Sequence, residues 1–344
     1  CIQPVYRTYT RRHQTNIRTI IIMKFSVKML GSAVIAALAL SFTTPSQAKT
    51  HRIIFANYFG PTHPNTLMMQ KFKEDIEKKS NGGFKVTLKP NNEAGGEEKL
   101  VELIKRGTIQ IAIVGGYVKN DEPSTANIEQ PFIIDGWEHA KRVYTGNEEV
   151  HKVLDGQYHE KTGVKVAGYV VNGFRQISSS KPITKLSDFG TVKLRTPLND
   201  VFVETFKALG TNPTPLPMTE LYTGLETGVV DGQDNPWATV KEMGWWEVQK
   251  YLLNSNHMFS PSFVLVNDKN FYSKLTADEK KIFDECMKDA IDYDWEISEK
   301  ADADALKFLT DKGLKLTVPD EQFKADMRKA CEPVYEWFDK NFPS

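Results

Sequence analysis

The sequence holds no G-x-S-x-G turn, no H-E-x-x-H helix, no C-x-x-C pair and no G-x-x-x-x-G-K-[ST] loop. Each absence removes a local signature: acyl transfer at a strained serine, zinc-assisted hydrolysis, thiol exchange, nucleotide phosphate binding. Cysteine is scarce, with three in 344 residues, too few for a disulfide scaffold. Long apolar runs are missing too. The main one, Met29 to Phe42, is about 14 residues, short of the roughly 18–20 that a spanning helix needs. No sign of charge prevails, with 44 Lys and Arg against 44 Asp and Glu. There are no internal repeats and no low-complexity tracts.

What is present begins at Met23. Residues 1–22 carry four arginines and no acid, and read as sequence upstream of a true start at that methionine. Lys24 and Lys28 then precede the apolar run, and Ser46-Gln47-Ala48 sets small residues before a cleavage point after Ala48. Residues 23–48 therefore predict a cleaved signal peptide and a periplasmic destination. Removing residues 1–48 takes away six cations and no acids, leaving 38 cations against 44 acids, a net charge of −6. A mildly acidic surface argues against nucleic acid or an anionic membrane as partner. Two cysteines remain, Cys286 and Cys331, and in an oxidising compartment the pair is expected to be bridged. Neither has companion histidines, so no metal is expected.

The periodicity predicts an α/β chain. His51–Asn57 reads as a buried strand and 64–79 as a helix with Leu67, Met68, Phe72 and Ile76 on one face. Phe84–Leu88 alternates as a strand, a helix with Leu100, Leu103 and Ile104 inward ends at Gly107, and Ile109–Val114 is a nearly continuous apolar strand. A second α/β unit follows, with strands at Tyr169–Val171 and Val192–Arg195, a helix over 219–227, and a turn at Asp231–Asn235. Thr276–Lys312 has no Pro or Gly across 37 residues; as one helix it spans roughly 55 Å. No small lobe needs that length, whereas a helix laid across two lobes does.

The segment Lys193-Leu194-Arg195-Thr196-Pro197, continuing to Asp231-Gly232-Gln233-Asp234-Asn235-Pro236, resembles the solute receptors of TRAP transporters, the DctP-like periplasmic proteins that capture organic acids. The resemblance extends from about Arg52 to the C-terminus. It implies a two-lobe periplasmic binding protein of type II-like α/β fold, with hinge strands, a long bridging helix and an interlobe cleft. Residues 49–172 with 261–299 would form lobe I, and 173–260 with 300–344 lobe II. It implies a monomer that takes a small organic acid, needs no cofactor, and delivers its ligand to TRAP membrane permease subunits.

Taken alone, Arg195 is a solvated strand residue. The resemblance makes it the cleft arginine that grips the ligand carboxylate with both guanidinium nitrogens, a planar fork on a planar anion. Arg175, in Asn172-Gly173-Phe174-Arg175, resembles the second cleft arginine, which either reaches another ligand oxygen or braces the first. Asn235 resembles the amide that donates to the same carboxylate, and Asp231, Gln233 and Asp234 are expected to fix the turn. In the first lobe, Asn57 matches a polar ligand contact, His63 a helix-start residue, and Glu97 either a cleft residue or a cap. Tyr117, Phe174, Trp237 and Phe259 are candidate aromatic walls, and Met218 an apolar one. Gly115-Gly116 departs from sialic-acid receptors of the family, which carry an acidic side chain near this point. The glycines argue against sialic acid and against a long polyhydroxylated ligand. Two other classes were weighed: a ligand-presenting sensor subunit, and an exported enzyme acting on an organic acid with Asp234, Glu97 or His63 as base, although nothing pairs those with a nucleophile.

Overall fold

The computed structural model describes residues 50–146 and 148–341; the export segment and its cleavage point lie outside them. The elements run β1 (His51–Ala56), α1 (Pro64–Lys79), β2 (Phe84–Lys89), α2 (Glu97–Arg106), β3 (Ile111–Val114), α3 (Trp137–Gly146), α4 (Glu148–Thr162) and β4 (Val164–Ser179). They continue with β5 (Leu194–Thr196), α5 (Asp200–Ala208), β6 (Thr214–Pro215), α6 (Leu221–Glu226), β7 (Gly232–Asn235), α7 (Trp237–Glu242) and β8 (Tyr251–Asn267). Last come α8 (Ala277–Asp311), β9 (Lys315–Thr317), α9 (Glu321–Ala330) and α10 (Glu332–Asn341).

The strands form one sheet in the order β2-β1-β3-β8-β4-β7-β5-β6, with β9 on β8. At one end β1 pairs in parallel with β2 and β3, as successive β-α-β crossovers dictate. At the other, β5 pairs in parallel with β6 and β7. Two long antiparallel strands join the ends. β8 pairs with β3 through Phe263–Val266 and with β9 through Tyr251–Leu253, while β4 pairs with β7 through Gln176–Ser179. The β4–β8 ladder shifts register between Val171 and Gly173 and again between Arg175 and Ile177. Gly173 has φ +123°, open to glycine, and an added Cβ would press on Pro236 at 3.3 Å. The bulges thus fall beside Arg175, where the strand passes from one half to the other.

This is a two-lobe α/β fold, and its apolar packing shows why the long helix is there. Ile53, Phe55, Met68, Phe72, Ile111 and Val264 share a core with Phe283, Cys286, Met287 and Trp295 from the first half of α8. Ala305 and Leu309, from its last turns, pack with Trp237, Val240, Trp245 and Leu252 in another. The 35 residues of α8 reach about 52 Å and so belong to both ends of the sheet. A capping box starts the helix: Thr276 Oγ1 accepts from the Glu279 amide at 3.3 Å, and Glu279 Oε2 accepts from the Thr276 amide at 2.8 Å.

Three expectations are corrected. Cys286 and Cys331 are free thiols, because their helices pack into different apolar clusters, Cys331 beside Phe189, Phe206, Phe323 and Met327. Burial pushes the thiols up to about 11 and about 12. The stretch after Asp231 is not a turn but strand β7, buried throughout and laddered to both β4 and β5. The helix expected over 219–227 is shorter, Leu221–Glu226, and follows a 3₁₀ turn at Met218–Glu220.

Candidate functional site

A cavity opens where the two halves of the sheet meet. Its cationic side is made by three neighbouring strands, β4, β7 and β5. Arg195 sits at the middle of β5, Arg175 on β4 just past the bulge, and Asn235 at the end of β7. Facing them are Glu97 at the start of α2, Gly115, Gly116 and Tyr117 after β3, Tyr58 after β1, and Glu129 from the irregular segment before α3. Met218, Asn172, Asn199 and Phe202 complete the wall.

The two arginines differ in company. Arg175 Nε lies 2.5 Å from Asp234 Oδ2, its terminal nitrogen 3.1 Å from Oδ1, and the same nitrogen donates to the Asp234 carbonyl. Its guanidinium carbon stands 4.6 Å over the Phe202 ring. Asp234 is fully buried, and His257 Nε2 stands 3.3 Å from the same Oδ2. Burial works to raise the Asp234 carboxyl, but Arg175 and His257 hold it well below the usual range. Burial likewise opposes the charge on Arg175, and Asp234 more than offsets that. The pair is closed on itself.

Arg195 is as buried, 3 % exposed, and pairs with no carboxylate among the described residues. Its Nε donates to the Leu216 carbonyl at 2.8 Å, which fixes the fork but neutralises nothing. Burial pulls its pKa down to about 10; the more distant Asp234 and Glu97 oppose the fall and Arg175 adds to it. A desolvated cation without a counter-ion costs stability unless an anion arrives. Asn235 stands by with an amide that donates one hydrogen to Gln233 Oε1 at 2.7 Å and keeps a second.

The opposite wall collects acceptors. Glu97 Oε1 accepts from the Tyr117 amide at 2.9 Å, and burial raises its carboxyl despite that bond and Arg195. Burial raises Glu129 to about 7, with Arg175 pulling the other way. Burial and neighbouring Glu97 push the Tyr58 hydroxyl well above its ordinary value. Sequence reasoning missed Tyr58, Glu129, Asn199, Asn172 and Phe202.

Of the residues singled out in the sequence, the cavity gathers Arg195, Arg175, Asn235, Glu97, Met218 and Tyr117. It does not gather four others. Asn57 is a buried turn residue, its Oδ1 accepting from the Phe59 amide at 3.1 Å and its Nδ2 donating to Thr66. Phe174 and Phe259 pack edge-to-face at 5.0 Å in an aromatic core with Trp137. Trp237 is 1 % exposed, with Nε1 on Asn254 Oδ1 at 3.3 Å. His63 is the helix-start residue expected, its Nδ1 accepting from the Asn65 amide at 3.2 Å. Asp234 is a counter-ion rather than a turn former. The two glycines do not empty their corner of charge either. A Cβ on Gly116 would lie 2.0 Å from Glu129 Oε2, so the acid comes from elsewhere in the chain.

Residues 55–341 match the family model for bacterial extracellular solute-binding protein, family 7, DctP. A TRAP periplasmic solute-binding protein from Haemophilus influenzae, solved with L-gulonate, is 36 % identical with a TM-score of 0.81, over 85 % of this chain and 95 % of that one. The sugar acid-binding protein DctPAm from Advenella mimigardefordensis, in complex with galactonate, is 32 % identical with a TM-score of 0.82, over 86 % and 94 %. The C4-dicarboxylate-binding periplasmic protein DctP of Rhodobacter capsulatus is 30 % identical over 89 % of this chain and 91 % of its own.

Proposed function

The chain belongs to the DctP family of bacterial extracellular solute-binding proteins, and from that premise we propose a receptor that holds one organic carboxylate on Arg195 and hands it to a TRAP permease. The observation that carries the reading is the buried, unpaired guanidinium of Arg195, next to an Arg175 already neutralised by Asp234. One free cation with a spare Asn235 amide matches one carboxylate. Charge-assisted bonds to a planar fork would fix its orientation. The aldonates held by the two solved relatives described above favour a sugar acid for the rest of the ligand.

The proposed lobes are 49–172 with 261–299 and 173–260 with 300–344. The state described is read as the closed one, from contacts between the two proposed lobes: Lys119 Nζ to Asp200 at 2.9 Å, Asn199 Nδ2 to the Gly116 carbonyl at 3.3 Å, and Thr62 to Glu242 at 2.5 Å. The bulged β4–β8 pair is the hinge and α8 the shared spine. The mature protein starts after Ala48, acts as a monomer and turns nothing over: capture, closure and release need no nucleophile. Among the described residues no helix is long and apolar enough to cross a membrane.

A thermal-shift screen tests the reading. Aldonates, uronates, dicarboxylates and neutral sugars are added in turn to the purified exported protein. Ligand at 100 times its Kd adds about 2.7 kcal/mol, several degrees at this size. The expected result is a shift with an acid and none with neutral sugars; a shift with neutral sugars alone would overturn the carboxylate reading.

A further inference from the structure

Glu129 is a buried acid of the cavity wall. Its side chain is 2 % exposed, it lines the cavity, and its Oε2 has no hydrogen-bond partner. Ser260 Oγ is near enough to favour the ionised form, yet it too is left without a partner. Buried acceptors are almost always satisfied, so an unpartnered carboxylate oxygen on a residue that lines a cavity calls for a donor that the cavity admits. The backbone makes room for it. The space a side chain would fill at Gly116 is taken by this oxygen, 2.0 Å from where a Cβ would stand, with Asn199 Nδ2 2.9 Å from the same point. Neighbouring Gly115 leaves similar room, its Cβ position lying 3.0 Å from the Tyr58 hydroxyl and 3.2 Å from Glu97 Oε1. The chain therefore places two carboxylates and a phenol in the lining of the cavity that also holds Arg195. The charged and titratable groups acting on Glu129 are Arg175, Glu97, Asp234, Tyr58 and Tyr144.

We propose that Glu129 is a specificity-determining residue, whose free Oε2 accepts a hydrogen bond from a hydroxyl on the far end of a hydroxylated monocarboxylate and repels a second carboxylate there. The inference rests on the reading that Arg195 holds the first carboxylate. Its physical content is the polarity of the cavity. A molecule with an anion at one end and hydroxyl donors at the other satisfies both walls. A dicarboxylate of similar length satisfies one wall and sets like charges together at the other. The glycines at 115 and 116, which in the sequence argued against a polyhydroxylated ligand, become the means of admitting the acceptor that such a ligand needs.

The test is calorimetric titration with D-galactonate and with succinate at mildly alkaline pH, where the carboxyl is ionised. Glu129→Gln keeps the shape and removes the charge. The proposal expects galactonate affinity to fall by about 10- to 100-fold, the range of a hydrogen bond to a charged group, while succinate affinity holds or rises. Gly116→Ala is the second variant: its methyl displaces the Glu129 carboxylate without deleting it, and the same narrowing of the galactonate-to-succinate ratio is expected. Melting curves confirm that both variants fold. An unchanged ratio in both folded variants overturns the role of Glu129. Arg195→Ala separates the two layers. If it binds both acids as the wild type does, the carboxylate reading fails; if it loses both while the Glu129 variants keep the wild-type ratio, only the present inference fails.

Discussion

The corner around Arg175 and the corner around Arg195 contain the same guanidinium at nearly the same burial, yet they do opposite things. Arg175 has Asp234 on two nitrogens, a ring beneath it and His257 behind its partner. Arg195 has one backbone carbonyl. The first corner is complete and holds β4 to β7; the second is incomplete, and in the proposed reading its missing partner is the ligand. A binding site can thus be recognised as the place where a fold leaves charge unanswered.

The largest expected effect breaks the first corner. Asp234→Ala strands a buried arginine, and denaturant unfolding is expected to show a loss of about 3–5 kcal/mol. A loss below 1 kcal/mol would mean that the pair is not the structural half of the comparison.

Asp234 and Glu129, both buried, also titrate in opposite senses. Asp234 has a depressed carboxyl, so its stabilisation is present above the ordinary aspartate value of 3.8 and is lost as pH falls below that through its own lower value. Glu129 is raised from 4.5 to about 7, so its contribution is intact below 4.5 and lost as pH rises through about 7. At about 1.4 kcal/mol per unit this is roughly 3 kcal/mol of unliganded stability. Glu129→Gln is expected to flatten that part of a Tm-against-pH curve, and an unaltered slope would contradict it.

The smallest effect concerns closure. Asp200 is mostly exposed, and Lys119, its partner, is buried. Asp200→Ala is expected to weaken ligand binding by about 1 kcal/mol or less, through faster release, while the melting temperature of the unliganded protein barely moves. Stopped-flow dissociation is the measurement; a tenfold or larger change would make this contact a main determinant of closure.

Much of this architecture is written in local pattern. The continuous apolar run at Ile111–Val114 and the Pro- and Gly-free stretch of α8 each specify one element because burial on both faces, or along a whole face, leaves few alternatives. Side-chain direction is less legible. Phe174 precedes Arg175 on one strand, and alternation sends it to the other face, against its cross-strand partner Phe259. Adjacency to a cleft residue therefore argued for the wrong wall. Asn57 and Tyr58 follow the end of β1, where no period applies, and the second lines the cavity rather than the first. Glu129 lies at the end of a 3₁₀ segment, Pro123–Glu129, and only the room left by Gly116 reveals what it faces. Cys286 and Cys331 needed the packing of two separate clusters to be told apart from a pair.

The central claim is that Arg195 is unpaired for the sake of its ligand. Arg195→Met measured by calorimetry and melting addresses it most directly, with D-galactonate or whichever acid shifts the wild type. The account predicts that affinity falls at least 100-fold, about 2.7 kcal/mol, while the unliganded protein melts at the same temperature or higher, since a buried uncompensated charge has been replaced by an apolar chain. Retained affinity with a lowered melting temperature would contradict it, and would make Arg195 a structural residue like Arg175.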